Sequence, residues 1–469
     1  MSWKLFYVFI LCLVEMALYM DRLAVASVLK DIQDYYDVND SQGGLVQTVY
    51  FGFFFIFTPL FGYLGDRASR KWLLSVCISL WIGLVVASSL IPKNLWALFL
   101  VSRGLSGIGQ SSCTVLAPTI IADLYSGTKR SMALMMFFFM IPIGSGLGFL
   151  SGSHIGSALG HWQWGIRFTA MLGVFIALLV IIFLREPRRQ QENETTRRGQ
   201  TFWQDCLKIV VVPTYILSTL GLTCVMFLTG SLEWWAPTLI EHGKASKLNL
   251  SKTEDLTDNE KDNITLVTGA ITLVSGLFGV VMGSLIAHWL KIGKGPFRRL
   301  KTQSADAWVC TIGALICIPT MAVGFPLAKD HLAIAYVLFF IGITAACCNL
   351  AVVIDLQLSV IAPSRRNTAN SWQTLVSSIL GDATGPYIVG AISDGVRKGS
   401  TPSDHFDSLV KAFYFPVGVL GLATILFFAS VLTTKRDLRK IELEQELEKS
   451  RPISTTNLDW SNSVSKQWE

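Results

Sequence analysis

Gly62-Tyr63-Leu64-Gly65-Asp66-Arg67-Ala68-Ser69-Arg70-Lys71 separates two apolar runs, one over about 42–64 and one over about 71–91. A hydrocarbon core about 30 Å thick is crossed by roughly 20 apolar helical residues. Each run is long enough to cross, so the quoted stretch reads as a tight charged turn at one membrane surface.

Outward from this turn the pattern repeats. Apolar runs cover about 3–29, 42–64, 71–91, 95–124, 129–157 and 163–185, then about 211–240, 264–291, 304–327, 331–361, 366–396 and 410–434. The expected fold is all-α, a polytopic membrane protein of twelve transmembrane helices. Composition agrees: of 469 residues 51% are hydrophobic and 15% charged, where a soluble domain has about 25% charged. The net charge of +6 does not point to nucleic acid, because the basic residues lie in short loops and not on one face of a folded domain. The run from Trp3 to Leu29 is too long for a signal peptide and is interrupted by Glu15, Asp21 and Arg22, so it is read as an uncleaved first span. The nine cysteines fall in no loop placed outside, and no Cys/His spacing resembles a zinc site. No cofactor is implied.

Positive charge sets the expected sidedness. The loops after even-numbered spans and the C-terminal tail hold 25 Lys and Arg, the other loops 10. The positive-inside rule then puts both termini in the cytoplasm. The sequons at Asn39, Asn249 and Asn263 fall outside and that at Asn193 inside; Asn249, farthest from a span, is the best-placed glycosylation site. The expected organisation is an N-terminal six-helix bundle (1–185), a cytoplasmic linker (186–210) with Arg188, Arg189, Arg197 and Arg198, a C-terminal six-helix bundle (211–434) and a cytoplasmic tail (435–469). The linker's end, from Phe202 to Val211, has the pattern of an amphipathic surface helix, and the tail to Glu448 that of a solvated charged helix.

A repeat relates the halves. Span 4 ends Ile121-Ala122-Asp123-Leu124 before Lys129-Arg130, and span 10 ends Val353-Ile354-Asp355-Leu356 before Arg365-Arg366. Span 5 carries Gly144, Gly148, Gly152 and Gly156, and span 11 carries Gly381, Gly385 and Gly390. Two pseudo-symmetric halves of this kind place a substrate site between them near the midplane; small residues also let helices pack closely whatever the function.

The opening turn resembles the signature loop of the major facilitator superfamily, Gly-x-Leu-x-Asp-Arg-x-Gly-Arg-Lys, with Ser69 where that family usually has Gly. Tyr19-Met20-Asp21-Arg22, Ser102-Arg103-Gly104-Leu105-Ser106-Gly107-Ile108-Gly109, Ala117-Pro118-Thr119, Ile141-Pro142-Ile143-Gly144 and Gly381-Asp382-Ala383-Thr384-Gly385-Pro386-Tyr387 resemble spinster proteins. The resemblance runs from about residue 15 to 430. It implies a proton-linked or facilitative carrier of lysolipids or sphingoid phosphates working by alternating access, functional as a monomer. It also implies a late endosomal or lysosomal membrane, with the plasma membrane as the alternative.

Ionisable residues inside spans are costly and tend to face a cavity. Asp21 and Arg103 lie about eight residues from the outer ends of spans 1 and 4, roughly 12 Å deep; Glu15 and Gln110 lie about 14 and 15 residues in, roughly 21–23 Å deep. Those two spans line the cavity in the resembled family. Arg103 is the first candidate for a phosphate contact and Arg22 the second, because an Arg fork holds phosphate bidentately and the carboxylate of Asp21 competes for the same donors. The alternative is a structural Asp–Arg pair. Spinster proteins commonly carry Glu where this chain has Gln110, which cannot exchange a proton. Either the titrating carboxylate has moved to Glu15, with Asp21 as a second candidate, or Glu15 merely hydrogen-bonds its neighbours and the protein is a uniporter. Glu233 and Trp234 form a candidate cradle for a choline-like cation, or Trp234 is an interfacial anchor. The Met-rich stretch from Met132 to Met140 lines a route for an acyl chain or faces lipid. Asp66, Arg67, Arg70, Asp123 and Arg130 form a candidate cytoplasmic gate whose pairs bias a two-state equilibrium. No catalytic or metal motif is present, which disfavours an enzyme. A carrier of small organic anions and a non-transporting sensor of the same fold are the remaining alternatives.

Overall fold

The computed structural model describes residues 3–125, 127–186, 207–293, 301–362 and 365–450. The described residues contain helices and no strand. The helices are α1 (Trp3–Ser27), the short α2 (Leu29–Tyr36), α3 (Asp40–Arg67), α4 (Arg70–Ser88), α5 (Trp96–Leu124), α6 (Gly127–Ala158) and α7 (Gln163–Phe183) in the first half. The second half has α8 (Pro213–Lys247), α9 (Asp258–Ile292), α10 (Ala305–Asp330), α11 (Leu332–Val360), α12 (Arg366–Ser377), α13 (Gly385–Val396) and α14 (Pro402–Ser450). Most of the linker, with Arg188 to Arg198, lies outside the described residues.

Ten of these segments are long and apolar enough to cross a membrane, with Ala369–Val396 counted as one. The two expected runs outside that set are α1 and α5, which carry Glu15, Asp21, Arg22, Arg103 and Gln110. All five side chains are buried within the bundle. On the outside the pattern inverts: Ile182, Ile425 and Leu432 are 63%, 66% and 70% exposed. That outer surface is compatible only with an apolar solvent, and the chain is a multi-span integral membrane protein.

Local sequence explains the helix ends. Asn39 caps α3 in a reciprocal box with Gln42. Ser69, the departure from the signature loop, is the N-cap of α4 and accepts from the Trp72 amide. Pro213 opens α8, where its missing N–H costs nothing. Gly293 closes α9 at φ 75°. Between α12 and α13 the residues Ser378–Ala383 form a π-helical stretch. Pro386 has no N–H to offer the carbonyl four residues back, so a regular ladder cannot run through this point. In the same stretch the Ala383 carbonyl accepts from the Thr48 hydroxyl of α3.

The glycine ladders seat equivalent pairs of helices. Side chains added at Gly144, Gly148 and Gly152 would meet the α1 carbonyls of Met16, Met20 and Ala24 within 2.6 Å. Side chains at Gly381 and Gly385 would meet the α8 carbonyls of Thr223 and Phe227 within 3.0 Å. Thus α6 rides on α1 as the α12–α13 segment rides on α8, which is the relation the repeat predicts.

The two halves meet through α3 with α13 and through α6 with α9. A set of bonds between the halves lies toward one end of the bundle, here called the distal face, opposite the linker. Asp394 accepts from the amides of Asp40 and Ser41. Arg397 donates to Asp40 at 2.9 Å, to Asp394 at 2.7 Å and to His405 Nδ1 at 2.9 Å. Asp262 accepts from Ser153 and Ser157 at 2.7 and 3.0 Å. These bonds hold the distal face closed.

Candidate functional site

Between α6, α8, α9 and α11 lies a cavity of about 470 Å³, within the range of small-molecule sites. Met135, Phe139 and Pro142 of α6, Leu277 of α9 and Ile354 of α11 give it apolar walls, and Glu233 of α8 is the one charged residue in the lining. Part of the Met-rich stretch therefore lines a cavity, while Met132 and Met136 are exposed on the outside.

Glu233 accepts from Arg22 Nη2 at 3.3 Å, a bond between the two halves. Arg22 is buried, with its guanidinium 4.9 Å from the Phe51 ring centre and 5.6 Å from that of Tyr19. With the Gln47 amide oxygen turned toward it, Arg22 also donates to Gln47 from Nε and Nη2 at 2.9 Å. Asp382, on the π-helical stretch, adds a second carboxylate to the field at Arg22. One cation thus bonds a carboxylate and an amide oxygen, lies against two aromatic faces and feels a second carboxylate, at the edge of an apolar chamber.

Asp21 and Arg103 are placed elsewhere. Asp21 Oδ1 accepts from Arg103 at 3.3 Å and from the Thr169 hydroxyl at 2.9 Å. Its Oδ2 accepts from Arg103 at 3.1 Å and from the Trp81 indole at 3.2 Å. Both residues are within 2% of full burial, enclosed by α1, α4, α5 and α7. The structure brings the two together but not with Arg22, and in this state it offers the Arg103 fork to a carboxylate and not to the cavity.

Glu15 and Gln110 do meet. Gln110 Nε2 donates to Glu15 Oε1 at 3.2 Å and to Thr114 Oγ1 at 3.3 Å. Glu15 Oε2 and Gln110 Oε1 are buried without a partner. Trp234 does not line the cavity: its indole donates to the Gly43 carbonyl at 3.1 Å, clamping α8 to α3. An aromatic so enclosed is neither a free wall for a ligand nor a lipid-facing anchor.

At the linker face Arg70 pairs with Asp123 and with a residue the sequence reading did not include, Glu186, at 3.4 Å. Glu186 also accepts from the Ser69 hydroxyl at 2.6 Å and from the Lys71 and Arg70 amides at 3.0 and 3.1 Å. Partial burial raises its pKa, but these bonds to the α4 N-terminus outweigh it and hold the carboxyl below the usual range. Arg67 is exposed, its guanidinium 3.7 Å from the Tyr63 ring centre. The side chains of Asp66 and Arg130 lie outside the described residues. Asn249 is exposed on the distal face, in the left-handed region at φ 55°.

The sequence model of the Major Facilitator Superfamily matches residues 11–386. Spinster homolog 1 of Homo sapiens is 37% identical over 446 residues, covering 92% of this chain and 82% of that protein. The chain belongs to the spinster family of the major facilitator superfamily. The Bos taurus spinster homolog 1 is 36% identical over 455 residues, covering 94% of this chain and 84% of its own. The sphingosine-1-phosphate transporter SPNS2 of Xenopus tropicalis is 36% identical over 426 residues, covering 90% and 81%. Among solved structures, a bacterial homolog of the human lysosomal transporter spinster, inward-facing and unoccupied, superposes with a TM-score of 0.77 at 19% identity over 93% of this chain and 98% of that one. This spinster chain is therefore a transporter and not an enzyme.

Asp382, Gln47 and the distal lock of Asp40, Asp394 and Arg397 were not among the expected site residues. Asp382 carried a signal: a carboxylate inside an apolar run, beside Gly381 and four residues before Pro386. The lock carried none, since Asp40 lies 354 positions from Asp394 and 357 from Arg397.

Proposed function

We propose that this spinster chain carries a single-chain phosphate-bearing amphiphile, a lysophospholipid or sphingoid phosphate, by alternating access. Its head would sit at Arg22 and Glu233, with its tail in the apolar cavity. The observation that carries this is the Arg22–Glu233 bond: it joins the two halves and lies at the edge of the cavity. A phosphate competing with Glu233 for the guanidinium would loosen that joint, linking occupancy to separation of the halves. The similarity to the Xenopus tropicalis sphingosine-1-phosphate transporter supports the substrate class. A small organic anion would use the same cation but leave the apolar walls unused.

The proposal retains twelve spans, cytoplasmic termini, the bundle and linker bounds given above, monomeric function and a lysosomal membrane as the first location. Asp21 and Arg103 stand as the positioning pair behind Arg22, and Asn249 as the glycosylation site. Proton coupling is assigned to Glu15. Gln110 Nε2 donates to Glu15 Oε1 and to Thr114, leaving Glu15 Oε2 and Gln110 Oε1 without a donor, and an added proton would supply one at Glu15. Arg70, Asp123 and Glu186, with Asp66, Arg67 and Arg130, form the linker-face gate.

The deciding test is flux of lysophosphatidylcholine and sphingosine 1-phosphate into proteoliposomes. Losing a charge-assisted contact costs about 1.5–3 kcal/mol, so Arg22→Ala should lower flux of the preferred substrate roughly tenfold or more. Unchanged flux of both lipids in Arg22→Ala removes Arg22 from the site. In the same assay Glu15→Gln should flatten the dependence on a pH gradient; an intact dependence refutes the assignment of Glu15.

A further inference from the structure

A second cavity, of about 460 Å³, lies at the linker face, apart from the transport chamber, between the segment entering α8, the end of α11 and α14. Its apolar floor includes Ile209 and Ile361, both nearly inaccessible. Its rim carries Lys208, Arg365, Arg436 and Lys440, and one acid, Asp437. Asp437 is already engaged inside the protein: Oδ2 accepts from the Thr214 amide at 3.1 Å and from its hydroxyl at 2.7 Å. Four cations against one carboxylate leave the rim at a net +3. Arg436 approaches Asp437 only at 3.7 Å and is largely exposed. Arg365 has partners within the fold. Lys208 and Lys440 form no ion pair with a described carboxylate.

The segment that supplies Lys208 also presents Leu207, Val210 and Val211, at 66%, 59% and 69% exposure. Apolar side chains this open at the entrance to a membrane helix lie against lipid. The cations are thus held at the level of lipid headgroups, over a floor suited to the upper part of an acyl chain. A phosphomonoester brings about −1.5 to −2 of charge, and the diester of a phospholipid one more, which matches the rim.

We propose that this cavity binds the head of an anionic membrane lipid carrying a phosphomonoester, as a resident ligand distinct from the transported substrate. Basic pockets between membrane helices on the cytoplasmic side are a general means of holding such heads.

The test uses the full-length protein in dodecyl maltoside, with thermal unfolding followed by tryptophan fluorescence. The probes are dioctanoyl phosphatidylinositol 4-phosphate, dioctanoyl phosphatidylcholine, inositol 1,4-bisphosphate and inorganic phosphate. The first should raise Tm saturably, as a native-state ligand must, and the others should not. The double variant Lys208→Gln/Lys440→Gln should lose the rise while keeping its lipid-free Tm. If the double variant unfolds, Lys440→Glu alone should weaken the apparent affinity at least tenfold. Arg439→Gln, an exposed neighbour outside the cavity, and Arg22→Ala, in the transport site, should both keep the full rise. No rise, an equal rise with phosphatidylcholine, or an unchanged rise in the lysine variants overturns the proposal. An equal rise with inositol 1,4-bisphosphate or phosphate makes it a site for free anions and overturns the lipid assignment.

Discussion

Asp21 and Arg22 are adjacent on α1 yet face different surroundings. Successive helical residues point about 100° apart, so one carboxylate turns into the first bundle and the next guanidinium turns to the seam. Depth in the membrane can be counted along a sequence, and Asp21, Arg22 and Arg103 do lie at similar levels. Azimuth depends on which neighbouring helix packs where, and that is why a single layer of three charges resolves into a sealed pair and a separate cation. The consequence is measurable. Asp21→Ala strands a buried guanidinium and should lower unfolding stability in detergent by about 3 kcal/mol, while Arg22→Ala, whose neighbour Glu233 opens onto the cavity, should change it less. Glu186 gives a pH signature. Its folded pKa is depressed, so its contribution is present above the unfolded carboxylate pKa and is lost as pH falls through the folded value. Thermal stability followed from pH 6 to pH 3 should fall less steeply in Glu186→Gln than in the parent.

At the scale of elements, most of the architecture was legible. The apolar runs, the charged turn at Asp66–Lys71 and the two glycine ladders all appear where the sequence puts them, because run length and small-residue spacing are local properties. What the sequence pattern did not show is the break in the eleventh run. Its glycines read as packing, and they are, but Pro386 also interrupts the ladder, and Asp382 lies on the π-helical stretch just before it. The role of Ser69 was likewise invisible before the fold placed Glu186 beside it. The α1–α6 contact yields a sharp expectation. Gly148 faces the Met20 carbonyl with no room for a side chain, so Gly148→Val should destabilise by about 3 kcal/mol through overpacking. Gly83, with nothing within 4 Å of an added Cβ, should accept Ala with little change in unfolding.

For the whole molecule, closure at the distal face rests on a few polar contacts between the halves, and Arg397, which makes one of them, also has a bond within its own half that is conditional on protonation. Arg397 can only donate, so His405 Nδ1 must be unprotonated to accept its bond. The His405 ring is stacked on His242 at 4.7 Å, near Asp40 and Asp394. A proton on Nδ1 would remove that acceptor and place positive charge beside Arg397. Spin-label distances across α3 and α13 at the distal face should therefore broaden toward longer values at pH 5 relative to pH 7.5. His405→Gln should lose that response, and an equal response in the variant would discard the idea.

The Thr48 hydroxyl of α3 donates to the Ala383 carbonyl of the π-helical stretch, across the seam between the halves. When the chamber opens the other way, Ala383 must give up this foreign donor and find one at home, by tightening its coil or by admitting water. The spare residue in that helix thus works like a ratchet tooth: its register would record which mouth of the carrier is shut.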